Sequence, residues 1–252
     1  MWVAGGEWLV GGGVRGMSEV GVRAPAMTEP SYLQTTRAGY DAIAVPYEEF
    51  ARDDLANKPY DAAMLAAFAH VVRAGGGGLV AEVGTGPGRV AAHLHGLGVD
   101  VFGLDLSPEM VALARRTYPG LRFVEGQMAE LDLADGVLAG LVAWYSVIHT
   151  PPELVPTVLA EFHRVLAPGG HALLAFQVGD EPLHLSEAFD REIALDFHRW
   201  QPDRMTALLA DAGLDVQATL VREAEPTERT PQAYLLARKA ADDQGEAAGG
   251  AS

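Results

Sequence analysis

The chain contains no cysteine, so disulfides, thiolate nucleophiles and cysteine-ligated metals are all excluded. Positive charge is scarce. Lys and Arg number 18 against 34 Asp and Glu, a formal net charge of -16 at pH 7. Such a surface repels phosphate backbones, and no basic patch offsets it, so no nucleic-acid partner is expected. Also missing are an apolar run near the roughly 20 residues that a membrane helix needs and the basic, then apolar, pattern of a signal peptide. What is present is 49% apolar residues over 252 positions, enough for one domain with elaborations and a sizeable core. A cytoplasmic globular enzyme with no membrane contact is the default expectation.

Glycine and valine without a sustained period fill the first positions, and residues 1–30 read as a flexible extension, with Met17 and Met27 as alternative starts. Residues 31–74 read as two helices forming an N-terminal lid. Tyr40, Ile43, Ala44, Tyr47 and Phe50 recur at spacings of three or four, one helical face, and the glycines at 75–78 break the second helix. Strands and helices then alternate over 75–239. Strands are expected at 79–83, 99–104, 121–124, 137–145, 171–178, 214–222 and 232–238. Pro108 opens one helix, another spans 152–166, and Gly213 caps a third over 202–212. The tail, 240–252, reads as disordered.

Alternation of this kind implies an α/β, doubly wound, seven-stranded and mostly parallel sheet covered on both faces. Ligands of such sheets sit beyond the carboxyl ends of the strands, where strand order reverses.

Glu82-Val83-Gly84-Thr85-Gly86-Pro87-Gly88 leaves the first strand and enters a helix. Its glycines allow a tight turn and close backbone approach to a ligand, and the helix N-terminus adds unpaired N–H groups. A plain strand-to-helix turn has the same look. Asp105 ends the second strand about twenty residues on, where an acid accepts hydrogen bonds from ribose hydroxyls. Ser107-Pro108 supplies the next helix cap, leaving Asp105 free for ligand. A dinucleotide fingerprint would place its third glycine where Arg89 stands. Glu82 would oppose a pyrophosphate but suits a ligand bearing an ammonium group. The balance favours S-adenosylmethionine, with S-adenosylhomocysteine as product.

These motifs resemble the class I S-adenosylmethionine-dependent methyltransferase family. The similarity rests on 82–89, on Gly103-Leu104-Asp105-Leu106-Ser107-Pro108-Glu109-Met110, on Gly126-Gln127-Met128, on 141–149 and on 164–170. It spans roughly 40–238, and is nearest to small-molecule enzymes of actinobacterial, secondary-metabolism type. The resemblance implies a Rossmann-like methyltransferase fold and assigns cofactor contacts to Glu82, Gly84, Thr85, Gly86, Gly88, Asp105, Tyr145 and Ser146. Leu106 and Met110 would pack on the adenine. Gln127, beside Met128, stands where an acid commonly meets the adenine amino group. Tyr40 and Tyr47 of the lid would approach the methionine end, with amphipathic core packing as the alternative.

His149 follows the fourth strand on the same rim as the glycine loop, and its imidazole titrates near neutrality, so it is the candidate general base. The alternative is a hydrogen bond to nearby backbone. The 179–201 stretch reads as a substrate-cover insertion carrying His184, His198 and Trp200. With Tyr145 and His149 these form the candidate substrate set, and His198 is a second catalytic candidate. No carboxylate cluster suggests a metal. The expected activity is transfer of a methyl group to oxygen or nitrogen of a small molecule by in-line displacement, with a homodimer left open. A nicotinamide-dependent oxidoreductase and a non-catalytic cofactor-binding scaffold are the alternatives.

Overall fold

A computed structural model describes residues 29–52 and 54–241. The extension expected over 1–30 and the tail expected over 240–252 therefore lie outside the described residues, apart from their innermost positions.

Two long helices come first, α1 (Ser31–Ala51) and α3 (Pro59–Ala74), with the short α2 (Asp54–Asn57) between them. The alternating part follows as β1 (Leu79–Val83), α4 (Arg89–Gly96), β2 (Asp100–Asp105), α5 (Pro108–Thr117), β3 (Arg122–Glu125) and β4 (Leu138–Trp144). Then come α6 (Val155–Val165), β5 (Leu166–Gln177), β6 (Leu183–Ala188), β7 (Arg191–Phe197), α7 (Pro202–Asp211), β8 (Leu214–Arg222) and β9 (Gln232–Lys239). Among the described residues no helix is long and apolar enough to cross a membrane.

Seven strands form one sheet in the order β3-β2-β1-β4-β5-β9-β8. The first five are mutually parallel, and β9 runs antiparallel to both of its neighbours. Helices α6 and α7 bury Phe162, Val158, Met205 and Leu209 against one face. The other face packs α3, α4 and α5 through Phe68, Leu65, Leu94 and Val111. Each strand inside the sheet is therefore buried on both sides, which is why β1 and β4 are nearly continuous apolar runs.

Chain order runs outward from β1 to β3 and then returns to β4 on β1's other side. The strand order thus reverses between β1 and β4, and a crevice opens beyond their carboxyl ends. This is the place for a ligand.

Local expectations differ from the structure at three points. Phe50, assigned to the buried face of the first helix, is 73% exposed; the face has rotated by the last turn, and Ala51 is buried instead. The strand expected to begin at 171, after the helix over 152–166, begins instead at Leu166 as the irregular start of β5, where Leu138 pairs with Leu166 before the register shifts. The 179–201 stretch contains an antiparallel hairpin, β6 with β7. Its strand β7 lies along α1, close enough that a Cβ at Gly39 would sit 2.7 Å from Leu195 Cδ2.

Candidate active site

Gly84, Gly86 and Gly88 all have positive φ, at 72°, 54° and 86°, a region that side-chain-bearing residues occupy only under strain. The loop needs this because its backbone bends back onto β2, with Gly84 N–H and Thr85 N–H both donating to the Leu104 carbonyl. The close approach is tight. A Cβ on Gly84 would lie 2.3 Å from Ser146 Cβ, across the boundary between β1 and β4. A Cβ on Gly86 would meet no protein atom within 4 Å, so that position faces the open crevice.

Asp105, 8% exposed, closes the loop from the side. Its carboxylate accepts from Gly86 N–H at 2.7 Å and from Ser107 N–H at 2.9 Å. Burial raises its pKa, and these two N–H donors pull against the rise. One lone pair on each oxygen is satisfied by backbone, and each oxygen keeps another for a ligand hydroxyl. Ser107 caps α5 by accepting from Met110 N–H, as the Ser-Pro pair implies. Its own hydroxyl donates to Asp41 of α1 at 2.5 Å.

Glu82 ends up 2% exposed at the start of the same loop. Burial pushes its carboxyl up to about 8, against the opposing Thr85 hydroxyl, which donates to it at 2.6 Å, and the Arg89 charge. A neutral acid in the resting state thus stands where an incoming cation would ionise it.

Helix α1 covers this rim. Arg37 donates to the Leu106 carbonyl at 3.1 Å and pairs with Glu29 through both terminal nitrogens. Tyr40 Oη lies 2.7 Å from His149 Nε2, and the Tyr40 ring also stands edge-on to Tyr47. His149 Nδ1 is 2.8 Å from the Asp196 carbonyl oxygen. A carbonyl only accepts, so Nδ1 carries the ring proton and Nε2 accepts from the Tyr40 hydroxyl. Burial lowers the His149 pKa to about 4, with the Asp196 carbonyl pulling it back up and His198 pushing it further down. Burial also raises Tyr40 well above its usual range. At neutral pH the pair is uncharged.

Most residues singled out in the sequence line one crevice: Tyr40, Tyr47, Glu82, Gly84, Thr85, Gly86, Asp105, Leu106, Met110, Gln127, Met128, Tyr145, Ser146 and His149. The space among them, counting its open mouth, is about 960 Å³. His149 does not bond its neighbouring Thr150-Pro151-Pro152 backbone; its partners lie on α1 and β7.

Four expectations are corrected. Gly88 does not line the crevice; a Cβ there would overlap the Phe123 ring at 2.7 Å, so its role is to let α4 pack closely. Trp200 is 1% exposed within the core on the α6–α7 face, with Arg204 over its ring at 4.9 Å. His184 pairs with Asp196 at 2.8 Å, both about 60% exposed. Strand alternation explains this: Leu195 faces α1, so Asp196 and its cross-strand partner His184 face solvent. His198 lies outside the crevice lining, its backbone N–H bound to the Ile148 carbonyl at 2.7 Å.

Sequence reasoning missed Tyr32, Arg37, Asp41 and Trp144, of which Tyr32, Arg37 and Trp144 line the crevice and Asp41 ties α1 to the start of α5. The α1 residues share the helix with Tyr40, a usable signal. The Asp41–Ser107 contact, 66 positions apart, leaves no local trace.

Residues 80–170 match a family model described as a methyltransferase domain. A demethylmenaquinone methyltransferase of Chlorobaculum parvum is 40% identical over 96 residues, which cover 38% of this chain and 39% of the relative. The chain thus spans about two fifths of the length of the curated relatives it first matches. Among solved structures, a Burkholderia thailandensis 1,6-didemethyltoxoflavin-N1-methyltransferase with bound 1,6-didemethyltoxoflavin and S-adenosylhomocysteine superposes with a TM-score of 0.62 at 24% identity. That match covers 87% of this chain and 93% of that one. A magnesium protoporphyrin IX methyltransferase from Synechocystis, with bound S-adenosylmethionine, superposes at 0.63 with 16% identity over 84% of this chain and 98% of that one. With the strand order and the glycine rim, these matches show that residues 80–170 are similar to a methyltransferase domain and that the chain has the fold of these solved methyltransferases.

Proposed function

We propose that the protein transfers a methyl group from S-adenosylmethionine to oxygen or nitrogen of a small molecule. The observation that carries this reading is Glu82, a buried carboxyl at the mouth of a glycine loop whose Gly86 opens onto the crevice. A pyrophosphate would only hold this carboxyl neutral, whereas an ammonium would gain an ionised partner, so the nicotinamide reading loses ground. Asp105 would hold the ribose hydroxyls, and Leu106 with Met110 would pack on the adenine. Relatives named for demethylmenaquinone and 1,6-didemethyltoxoflavin support a small-molecule acceptor. In this reading residues 31–74 serve as the lid and 179–201 as part of the substrate cover. The acidic surface and the cysteine-free composition suit a cytoplasmic enzyme without a nucleic-acid partner.

Bound S-adenosylmethionine supplies an electrophilic methyl group on a sulfonium. The protein's main task is to hold the nucleophile in line with it, and such positioning is worth about 7–11 kcal/mol of barrier. Tyr40 Oη, with its proton committed to His149 Nε2, offers lone pairs toward the crevice. A nucleophile's O–H or N–H proton passes to Tyr40 Oη as Tyr40's own proton moves to His149 Nε2, so neither group needs to ionise beforehand. The Asp196 carbonyl keeps the imidazole in the required tautomer.

Calorimetric titration with S-adenosylhomocysteine and with NADH tests the cofactor. Binding of NADH in place of S-adenosylhomocysteine overturns the proposal. Transfer from radiolabelled S-adenosylmethionine to a panel of phenols and amines tests turnover; cofactor binding without any transfer would favour a scaffold. His149→Ala is expected to lower turnover about 10²- to 10⁴-fold while leaving the S-adenosylhomocysteine dissociation constant unchanged. The acid limb of the wild-type rate profile should fall near pH 4, where Nε2 becomes protonated. Wild-type turnover in that variant removes His149 from the chemistry.

A further inference from the structure

Tyr145 is one of three described non-glycine residues with positive φ, at 51°. Strain of this kind persists where surrounding contacts enforce it, and it clusters at functional positions. Here it turns the ring out of the end of β4 and into the crevice lining, with the ring edge-on to Trp144 and Tyr234. Its hydroxyl lies 3.1 Å from the Tyr234 hydroxyl, which is fully buried.

The protons along this path can be counted. Tyr234 Oη donates its one proton to Asp61 Oδ1 at 2.5 Å. The same oxygen accepts from Arg222 Nε at 3.0 Å. Arg222 is anchored in turn by Glu228, which takes both terminal nitrogens at 2.5 and 2.7 Å and also accepts from Lys58 at 3.2 Å. Burial works against ionisation of Glu228, but Arg222, the Glu225 N–H and Lys58 together hold its carboxyl down at about 2. Tyr234 therefore has no proton left for Tyr145, and the Tyr145 hydroxyl must be the donor between them. Its remaining hydrogen-bonding capacity is lone pairs only.

We infer that Tyr145 Oη selects the methyl acceptor by receiving a hydrogen bond from an O–H or N–H of it, and that Tyr234 is the positioning residue that fixes this polarity. The inference rests on the methyltransferase reading. It specifies the substrate class further: an acceptor carrying a protic group where the crevice meets Tyr145, in preference to the same skeleton carrying an ether or ester oxygen there. Tyr40 Oη, committed to His149, imposes the same demand nearby. Through Tyr234, Arg222 and Asp61 tie the selecting hydroxyl to β8 and α3.

Phenol and anisole, equal in ring and differing in the one proton, are the probes. Each is titrated by NMR into the protein saturated with S-adenosylhomocysteine. Wild type is expected to bind phenol about three- to tenfold tighter than anisole, one net hydrogen bond. Tyr145→Phe removes the oxygen, and Tyr234→Phe frees the Tyr145 proton to turn into the crevice; in both, the ratio should fall below the wild-type value, any preference left being that of Tyr40. Asp61 keeps Arg222 in the second variant, and the half-buried Tyr145→Phe serves should that variant not fold. A merely structural role for Tyr234 would weaken both probes alike and leave their ratio unchanged, which refutes the assignment. Equal binding of the two probes by wild type, or no phenol binding by the S-adenosylhomocysteine complex, also overturns it. Failure of S-adenosylhomocysteine to bind at all would instead refute the methyltransferase reading.

Discussion

Cofactor binding should release a proton from Glu82, and this makes affinity depend on pH in a calculable way. The carboxyl sits at about 8 because burial disfavours its charged form. An ammonium group placed beside it needs the carboxylate, so binding selects the ionised fraction, and the apparent dissociation constant scales with the inverse of that fraction. With a midpoint of about 8, roughly 3% is ionised at pH 6.5 and about half at pH 8. Affinity for S-adenosylhomocysteine should therefore rise roughly 15-fold over that interval. Calorimetry at pH 6.5 in two buffers of different ionisation enthalpy should show close to one proton released per ligand. Glu82→Gln, which keeps a partner for the Thr85 hydroxyl, should bind with flat pH dependence. The unliganded protein should behave oppositely. Between 4.5 and about 8 the folded state keeps a proton that the unfolded state has lost, so stability falls with rising pH by up to about 1.4 kcal/mol per unit. A flat affinity profile in wild type, with no proton release, would refute the placement of the ammonium at Glu82.

Asp105→Ala removes the acceptor for two N–H groups and for the ribose; a charge-assisted bond of about 1.5–3 kcal/mol predicts S-adenosylhomocysteine binding weaker by roughly 10- to 150-fold, and unchanged affinity in a folded variant would make Asp105 purely structural. Gly84→Ala and Gly86→Ala should separate packing from ligand space. The first forces a Cβ to 2.3 Å from Ser146 Cβ and should cost about 2–4 kcal/mol in urea unfolding. The second meets no protein atom and should lose chiefly cofactor affinity; equal stability losses would contradict the distinction. Arg222→Ala leaves Asp61, 1% exposed, without its cation and should destabilise the fold by about 3–5 kcal/mol, with a loss below 1 kcal/mol counting against the network.

Much of this was legible in the sequence because it is encoded within a few residues. A strand that ends in Glu82, a glycine at every second position and a helix behind it can be read from spacing alone, and φ > 0 at Gly84, Gly86 and Gly88 follows from the turn they make. Asp105 and the Ser107 cap are likewise local. Amphipathic period misled only where its phase drifted, at Phe50. Trp200 and His184 were misplaced because an aromatic or imidazole in a stretch between elements carries no mark of which way it faces; the strand pairing of Leu195 decides that for His184.

The residues themselves thus determined a parallel α/β sheet, the glycine rim and the acids that flank it, since each arises from backbone geometry over one turn or one strand. The tertiary structure alone decided which distant groups meet. Tyr40 and His149 are 109 positions apart, and Asp61 and Tyr234 are 173 apart. Such pairs form because the return from β3 to β4 and the folding of α1 and α3 over the sheet bring them together. Hydrogen-bond polarity, the tautomer of His149 and the direction of the Tyr145 proton exist only once those partners are in contact.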